Sequence, residues 1–116
     1  IMALHYNLAK VHAISENDPD FVVQILQLFV SEIPNDLLQL KEAINEKMHK
    51  EAYQFAHKIK PSLDLLGMTI AYEENSCIEN WTRENGKKKE IKDTYKSLEH
   101  HIEKAIKEIK KDFNLQ

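Results

Sequence analysis

His57, Lys60, Pro61 and Asp64 have the types and the spacing for chemistry at a protein surface. At ~100° per residue, with the core centred on Ile59, the residues Ala52, Phe55, Ala56, Leu63 and Leu66 lie within ~60° of that centre. His57 falls at ~160°, almost opposite the core, and Tyr53, Lys60, Pro61 and Asp64 gather within ~60° of it. The spacing therefore predicts an imidazole in solvent on a well-anchored helix, with the Lys60 ammonium one turn away. An exposed imidazole presents a nucleophilic nitrogen near neutral pH, and a neighbouring cation attracts an incoming phosphoryl group. Asp64, four residues after Lys60, has the spacing of a surface ion pair with it. A proline inside a helix costs about 3 kcal/mol. Pro61 also leaves the His57 carbonyl without its helical partner and offers a small profile below the ring, across which a large partner can approach. The plainer reading is a bend at Pro61 and a histidine that is simply displayed on a surface helix.

The other histidines form no such arrangement. His5 and His12 belong to the opening segment, the adjacent His100 and His101 diverge by ~100° on a helix, and Tyr53 lies between His49 and His57. The sequence has no HExxH, no cysteine pair and no Glu-x-x-His pair of the bundle di-iron kind, so no metal and no cofactor is expected.

The elements that must hold these residues are helical throughout. Apolar residues recur at three and four, and strand alternation is absent. A short lead segment (residues 1–16, with Tyr6 to Ile14 apolar-punctuated) precedes Asp18-Pro19-Asp20, a helix start with a cap, a first-turn proline and a dipole-matching acid. The stripe of Val22, Ile25 or Leu26, Phe29, Ile33, Leu37, Leu40, Ile44 and Met48 keeps phase across Pro34. One long helix, kinked or bent there, is therefore expected rather than two. A third segment runs from about Lys50 to Leu66, with Gly67 as its C-terminal cap. A fourth runs from about Thr69 to Arg83, carries Ile70, Cys77, Ile78 and Trp81, and ends at Asn85-Gly86. The last carries Ile91, Tyr95, Leu98, Ile102, Ala105 or Ile106, Ile109 and Phe113 at the spacing of a coiled coil or a long bundle helix. With short connections and four partner segments, an antiparallel four-helix bundle over 17–116 is the expected fold.

The chain has 116 residues, 16 Lys plus Arg against 19 Asp plus Glu, and 42% apolar residues, which fits one domain over 1–116. Two Gly and three Pro are too few for a sandwich or barrel. The lone Cys77 excludes an internal disulfide and suits a reducing, cytoplasmic setting. A net charge of −3 argues against nucleic acid as the main ligand. No uninterrupted apolar run approaches ~18 residues, so no membrane contact is expected. Ile1-Met2-Ala3-Leu4 is too short for a signal peptide and has no basic n-region. Ile1 in first place leans toward excision from a longer chain, though Met2 could be a start.

Ala56-His57-Lys58-Ile59-Lys60-Pro61-Ser62-Leu63-Asp64-Leu65-Leu66-Gly67 resembles the signature of histidine-containing phosphotransfer (HPt) domains. That signature is Ala-His-x-apolar-Lys, a small residue, Ser or Ala, and a Leu-Gly whose Gly stands ten residues after the His. Tyr6-x-Leu8, Asp18-Pro19-x-Phe21 and Phe29…Ile33-Pro34 sit where this family has its N-terminal helices. The resemblance implies a four-helix bundle without ATP binding, whose histidine carries a phosphoryl group between aspartates of receiver domains. It makes His57 the phosphoacceptor and Lys60 the assisting cation, and it matches Ser62 and Gly67 to positions of close packing and helix termination. Pro61 departs from the commonest Gly. Glu79 stands where many members place a Gln that bonds the ring, 22 residues after the His, and Asn75 or Asn80 is an alternative for that role. Mg²⁺ would belong to the receiver, the domain would be a monomer, and it would stand alone or form part of a hybrid sensor histidine kinase. Phe21 and Leu28, off the main stripe, would either help docking or be buried under the lead segment. Two competing readings are a non-phosphorylated module that docks a receiver, kept open by Glu79, and a homodimer built on Ile91–Phe113.

Overall fold

The helical periodicity resolves into five helices in the computed structural model, which describes residues 4–116. They are α1 (Ala9–Ser15), α2 (Pro19–Asn45), α3 (His49–Leu65), α4 (Thr69–Arg83) and α5 (Lys88–Asp112). Ile1, Met2 and Ala3, on which the reading of the chain's start rests, lie outside the described residues. Among the described residues there is no strand. Connections of three or four residues force α2 to α5 to run antiparallel, each against the next, and α5 returns to pack on α2. This closes the expected four-helix bundle, with α1 against α2 as the short lead helix.

Asp18 caps α2 by accepting the Asp20 amide at 3.0 Å, and Pro19 occupies the first turn. Pro34 does not break α2. It lies on the exposed side, while Val22, Leu26, Phe29, Ile33, Leu37, Leu40 and Ile44 remain buried on one side, so packing holds the helix through the missing bond. Met48 is not part of that stripe. Lys47 turns the chain with φ 57°, and Met48 precedes α3 with its side chain exposed. By length and composition α2 is long and apolar enough to cross a membrane, with mean hydropathy 1.2 over 18 residues, although polar residues interrupt its apolar run, in line with the sequence reading. The mean is raised by apolar residues on both sides of the helix: Leu26, Phe29 and Ile33 face the bundle core, while Phe21, Leu28 and Leu38 are exposed.

Gly67 ends α3 with φ 61°, its amide bonding Asp64 O at 3.1 Å and the Met68 amide bonding Leu63 O at 3.0 Å. A Cβ there would lie 2.7 Å from Asn7 Cβ, because the Asn7 amide reaches Leu66 O at 2.8 Å. The glycine thus serves both the left-handed turn and the close approach of the lead segment. At the end of α4 the two roles separate. Asn85 takes the left-handed conformation at φ 51°, and Gly86 makes room for the Trp81 ring.

Of the four residues the sequence reading singles out in α4, Ile78 and Trp81 are buried, while Ile70 and Cys77 face outward. The buried side is Ala71, Asn75, Ile78, Glu79, Trp81 and Thr82, which includes polar residues whose partners come largely from α3. Apolarity alone therefore does not mark the core-facing side of this helix. The α5 heptads bury Ile91, Tyr95, Leu98, Ile102, Ala105, Ile106 and Ile109 against α4 and α2, which is the bundle alternative.

Candidate functional site

Ala52, Ala56, Ile59, Leu63 and Leu66 are buried and pin α3 to the core, which turns His57 outward. The His57 side chain is 64% exposed. Its Nδ1 lies 3.0 Å from Oε2 of Glu79 on α4, a residue only 1% exposed. The other carboxylate oxygen, Oε1, lies 3.2 Å from Lys60 Nζ. An ionised carboxylate only accepts hydrogen bonds, so Nδ1 is assigned the proton and Nε2 becomes the unprotonated nitrogen of an exposed ring. Burying a carboxylate is costly unless it is paired, and Glu79 is paired twice.

The ring is also supported from the side. Tyr53, one turn earlier, stacks on it with centroids 5.4 Å apart and planes 15° from parallel. The Arg83 guanidinium lies 5.1 Å from the Tyr53 ring centroid, with a 3.4 Å contact from its Nη2 to the Tyr53 hydroxyl. Lys60 Nζ is 5.4 Å from the Tyr72 ring centroid. The hydrogen bond to Glu79, and then that residue's charge, raise the Lys60 ammonium above the usual lysine range.

On the opposite flank of α3, Lys58 Nζ donates to Oδ1 of Asp36 on α2 at 2.9 Å. Asp36 is 3% exposed, and the bond to it, followed by its charge, raises the Lys58 ammonium in the same direction. A buried acid therefore stands on each side of the helix that displays His57.

The exposed His57 with Lys60 nearby agrees with the sequence reading. The expected Lys60–Asp64 pair does not form. Lys60 turns to Glu79, while Asp64 binds Lys10 of α1 at 2.7 Å. A surface pair one turn apart is worth only a few tenths of a kcal/mol, whereas a buried carboxylate demands a partner. Pro61 is exposed and α3 continues through it, and Ser62 is half-buried. Of the three candidates for the ring partner, only Glu79 reaches it. Asn75 is buried and donates to Ala56 O at 2.7 Å, tying α4 to α3, and Asn80 accepts from Arg83 at 2.9 Å. Phe21 and Leu28 are exposed rather than buried under the lead segment. Leu28 lines a concavity with Asn114, Leu115 and Gln116, on the α2–α5 side of the bundle and away from His57.

Asp36, Tyr72 and Arg83 had no place in the sequence reading. For Asp36 a signal was there: an acid inside the run Ile33 to Leu40, on the edge of an apolar stripe. Tyr72 and Arg83 carry no such mark, since only the packing of α4 on α3 brings them close.

Among the described residues, no group of three or more His, Cys, Asp or Glu is placed to hold a metal ion. A family model, Hpt domain, matches residues 24–112. No curated protein and no solved structure matches the chain.

Proposed function

The chain belongs to the Hpt domain family, and from that premise we propose that Nε2 of His57 accepts a phosphoryl group from one receiver aspartate and returns it to another. Hpt domains are phosphotransfer modules of two-component systems and do not act as kinases. The observation that carries the assignment to this histidine is an exposed ring whose Nδ1 is held by a buried carboxylate.

In the forward step the Nε2 lone pair attacks phosphorus in line, the N–P bond forms, and the P–O bond to the receiver's aspartate breaks. The carboxylate leaves with the electron pair. The Nδ1 proton stays in place, so no general base is needed, and the positive charge that develops on the ring faces Glu79. Phosphoryl transfer depends on positioning and charge neutralisation: Glu79 and Tyr53 hold the ring in position, and Lys60 supplies the charge. Lys60, one turn from the ring, brings a cation to the phosphoryl oxygens by swinging from Glu79. The Mg²⁺ belongs to the receiver, since the carboxylate nearest His57 is already engaged by two partners. The domain, residues 1–116, works as a cytoplasmic monomer, so sedimentation at micromolar concentration should give a single species of 13.6 kDa.

Incubation with a phosphorylated receiver should give an acid-labile, alkali-stable label on the wild-type chain and none on His57→Gln. A label that persists in the variant means another acceptor. The second reading, a receiver-docking module without transfer, draws on the same Glu79 carboxylate, because negative charge beside the ring opposes a phosphoryl group. Receiver binding without any label on the wild-type chain would establish it in place of the first.

A further inference from the structure

On the side of the bundle away from His57, α2 and α5 enclose a concavity of about 320 Å³. Lys41 of α2 and Lys88, Lys92 and Lys96 of α5 line it, over a floor that includes Ile44 and Tyr95. The three α5 lysines are one turn apart and span ~12 Å of helix. Like charges at that spacing destabilise a helix, and Lys88 adds to the cost by standing at the positive end of the α5 dipole.

Elsewhere, lysines that have a carboxylate in reach pair with it, as Lys10, Lys58 and Lys60 do. Among the described residues none of the four groove lysines makes an ion pair, and the nearest recorded bond is from Lys88 Nζ to Asn45 O at 3.4 Å. The one carboxylate in the lining, Glu99, lies 3.1 Å from the Tyr95 hydroxyl, whose single proton is shared between it and Leu37 O at 2.9 Å. A chain of net charge −3 thus gathers four unpaired ammoniums around one rigid-floored recess.

We propose that this groove binds a compact ligand bearing two or more phosphate groups. Four lysines against one engaged carboxylate leave a local charge of about +3, which two phosphate groups of about −1.5 each match. Lysine suits them as a flexible point charge that needs no planar, bidentate partner. The recess is of the size that takes small molecules, whereas an extended acidic protein segment would require a longer track. Because the groove lies between α2 and α5 and His57 faces α4, binding here is compatible with a receiver at His57.

The test is titration calorimetry at low ionic strength with tripolyphosphate, alongside flotation with phosphatidylcholine vesicles with and without phosphatidylinositol bisphosphate. Lys92→Glu with Lys96→Glu is compared with Lys104→Glu with Lys107→Glu, an equal charge change further along α5, and circular dichroism checks folding. The expected result is binding of tripolyphosphate or of the phosphoinositide vesicles that weakens about tenfold or more in the groove variant, and under twofold in the control. Tripolyphosphate binding identifies a free phosphate compound as the source, and binding to phosphoinositide vesicles alone identifies a lipid headgroup. Three results overturn the proposal: no binding to either probe, equal weakening in both variants, or tighter binding of poly-glutamate than of either phosphate probe.

Discussion

Two buried carboxylates flank α3, and they do different work. Asp36, on the α2 side, meets one lysine and forms a simple ion pair. Glu79, on the α4 side, divides its two oxygens between an ammonium and an imidazole. Both acids are nearly without solvent exposure, so each requires a partner. A lysine can only satisfy that need and fix the register of two helices. An imidazole satisfies it with one nitrogen and keeps the other for chemistry. On the proposed reading, the same buried charge is structural on one flank and functional on the other.

The largest expected effect lies in transfer. Glu79→Leu, which removes both the hydrogen-bond acceptor and the charge, should slow labelling of His57 by more than about tenfold, the worth of one charged hydrogen bond. Asp36→Asn should change the rate by less than about twofold, since it touches neither the ring nor the phosphoryl path. Equal losses would end the distinction between the flanks. Glu79→Gln keeps an acceptor for Nδ1 and loses only the charge, so a slowing of about threefold is expected, between the other two. Initial rates with a phosphorylated receiver measure all three.

Stability should rank the flanks the other way. Lys58→Met leaves Asp36 buried with no cation, whereas Lys60→Met leaves Glu79 its bond to His57. The urea midpoint should therefore fall further for Lys58→Met than for Lys60→Met, and the reverse order would show that Glu79 depends on its lysine more than on its imidazole.

The smallest effect is alkaline. Both lysines are raised above their ordinary value in the fold, so their contribution is complete below the unfolded lysine range and is lost as pH rises through the folded values. Tyr95 is raised for a different reason, burial first and then the charge of Glu99, and its contribution has the same sign. Thermal stability should thus decline from about pH 10 upward, and each lysine variant and Tyr95→Phe should flatten part of that decline. A decline of unchanged slope in all three would mean that these groups do not govern it.

Much of this was legible from the chain alone. The α2 cap at Asp18-Pro19, the stripe that carries α2 through Pro34, the α5 heptads and the Gly67 terminus are local features, and local spacing predicts them. The outward placement of His57 follows from the same periodicity. The α4 residues were not legible in this way, because a helix that buries Asn75, Glu79 and Thr82 does not show its inner side by apolarity. The exposed Phe21, Leu28 and Met48 show the same limit. Hydropathy does not distinguish apolar side chains that pack from apolar ones that face water.

The order of residues by itself determined the helices, their ends and the side of α3 on which His57 stands, since these depend on interactions within a few residues. Only the packing of separate helices decided that Glu79, rather than Asn75 or Asn80, meets the ring, that Lys60 abandons Asp64 for it, and that four lysines converge between α2 and α5. The reason is energetic. A solvent-exposed charge gains little from any one neighbour, but a carboxylate removed from water takes whichever donors the neighbouring helix brings within reach, and that choice is made across the bundle.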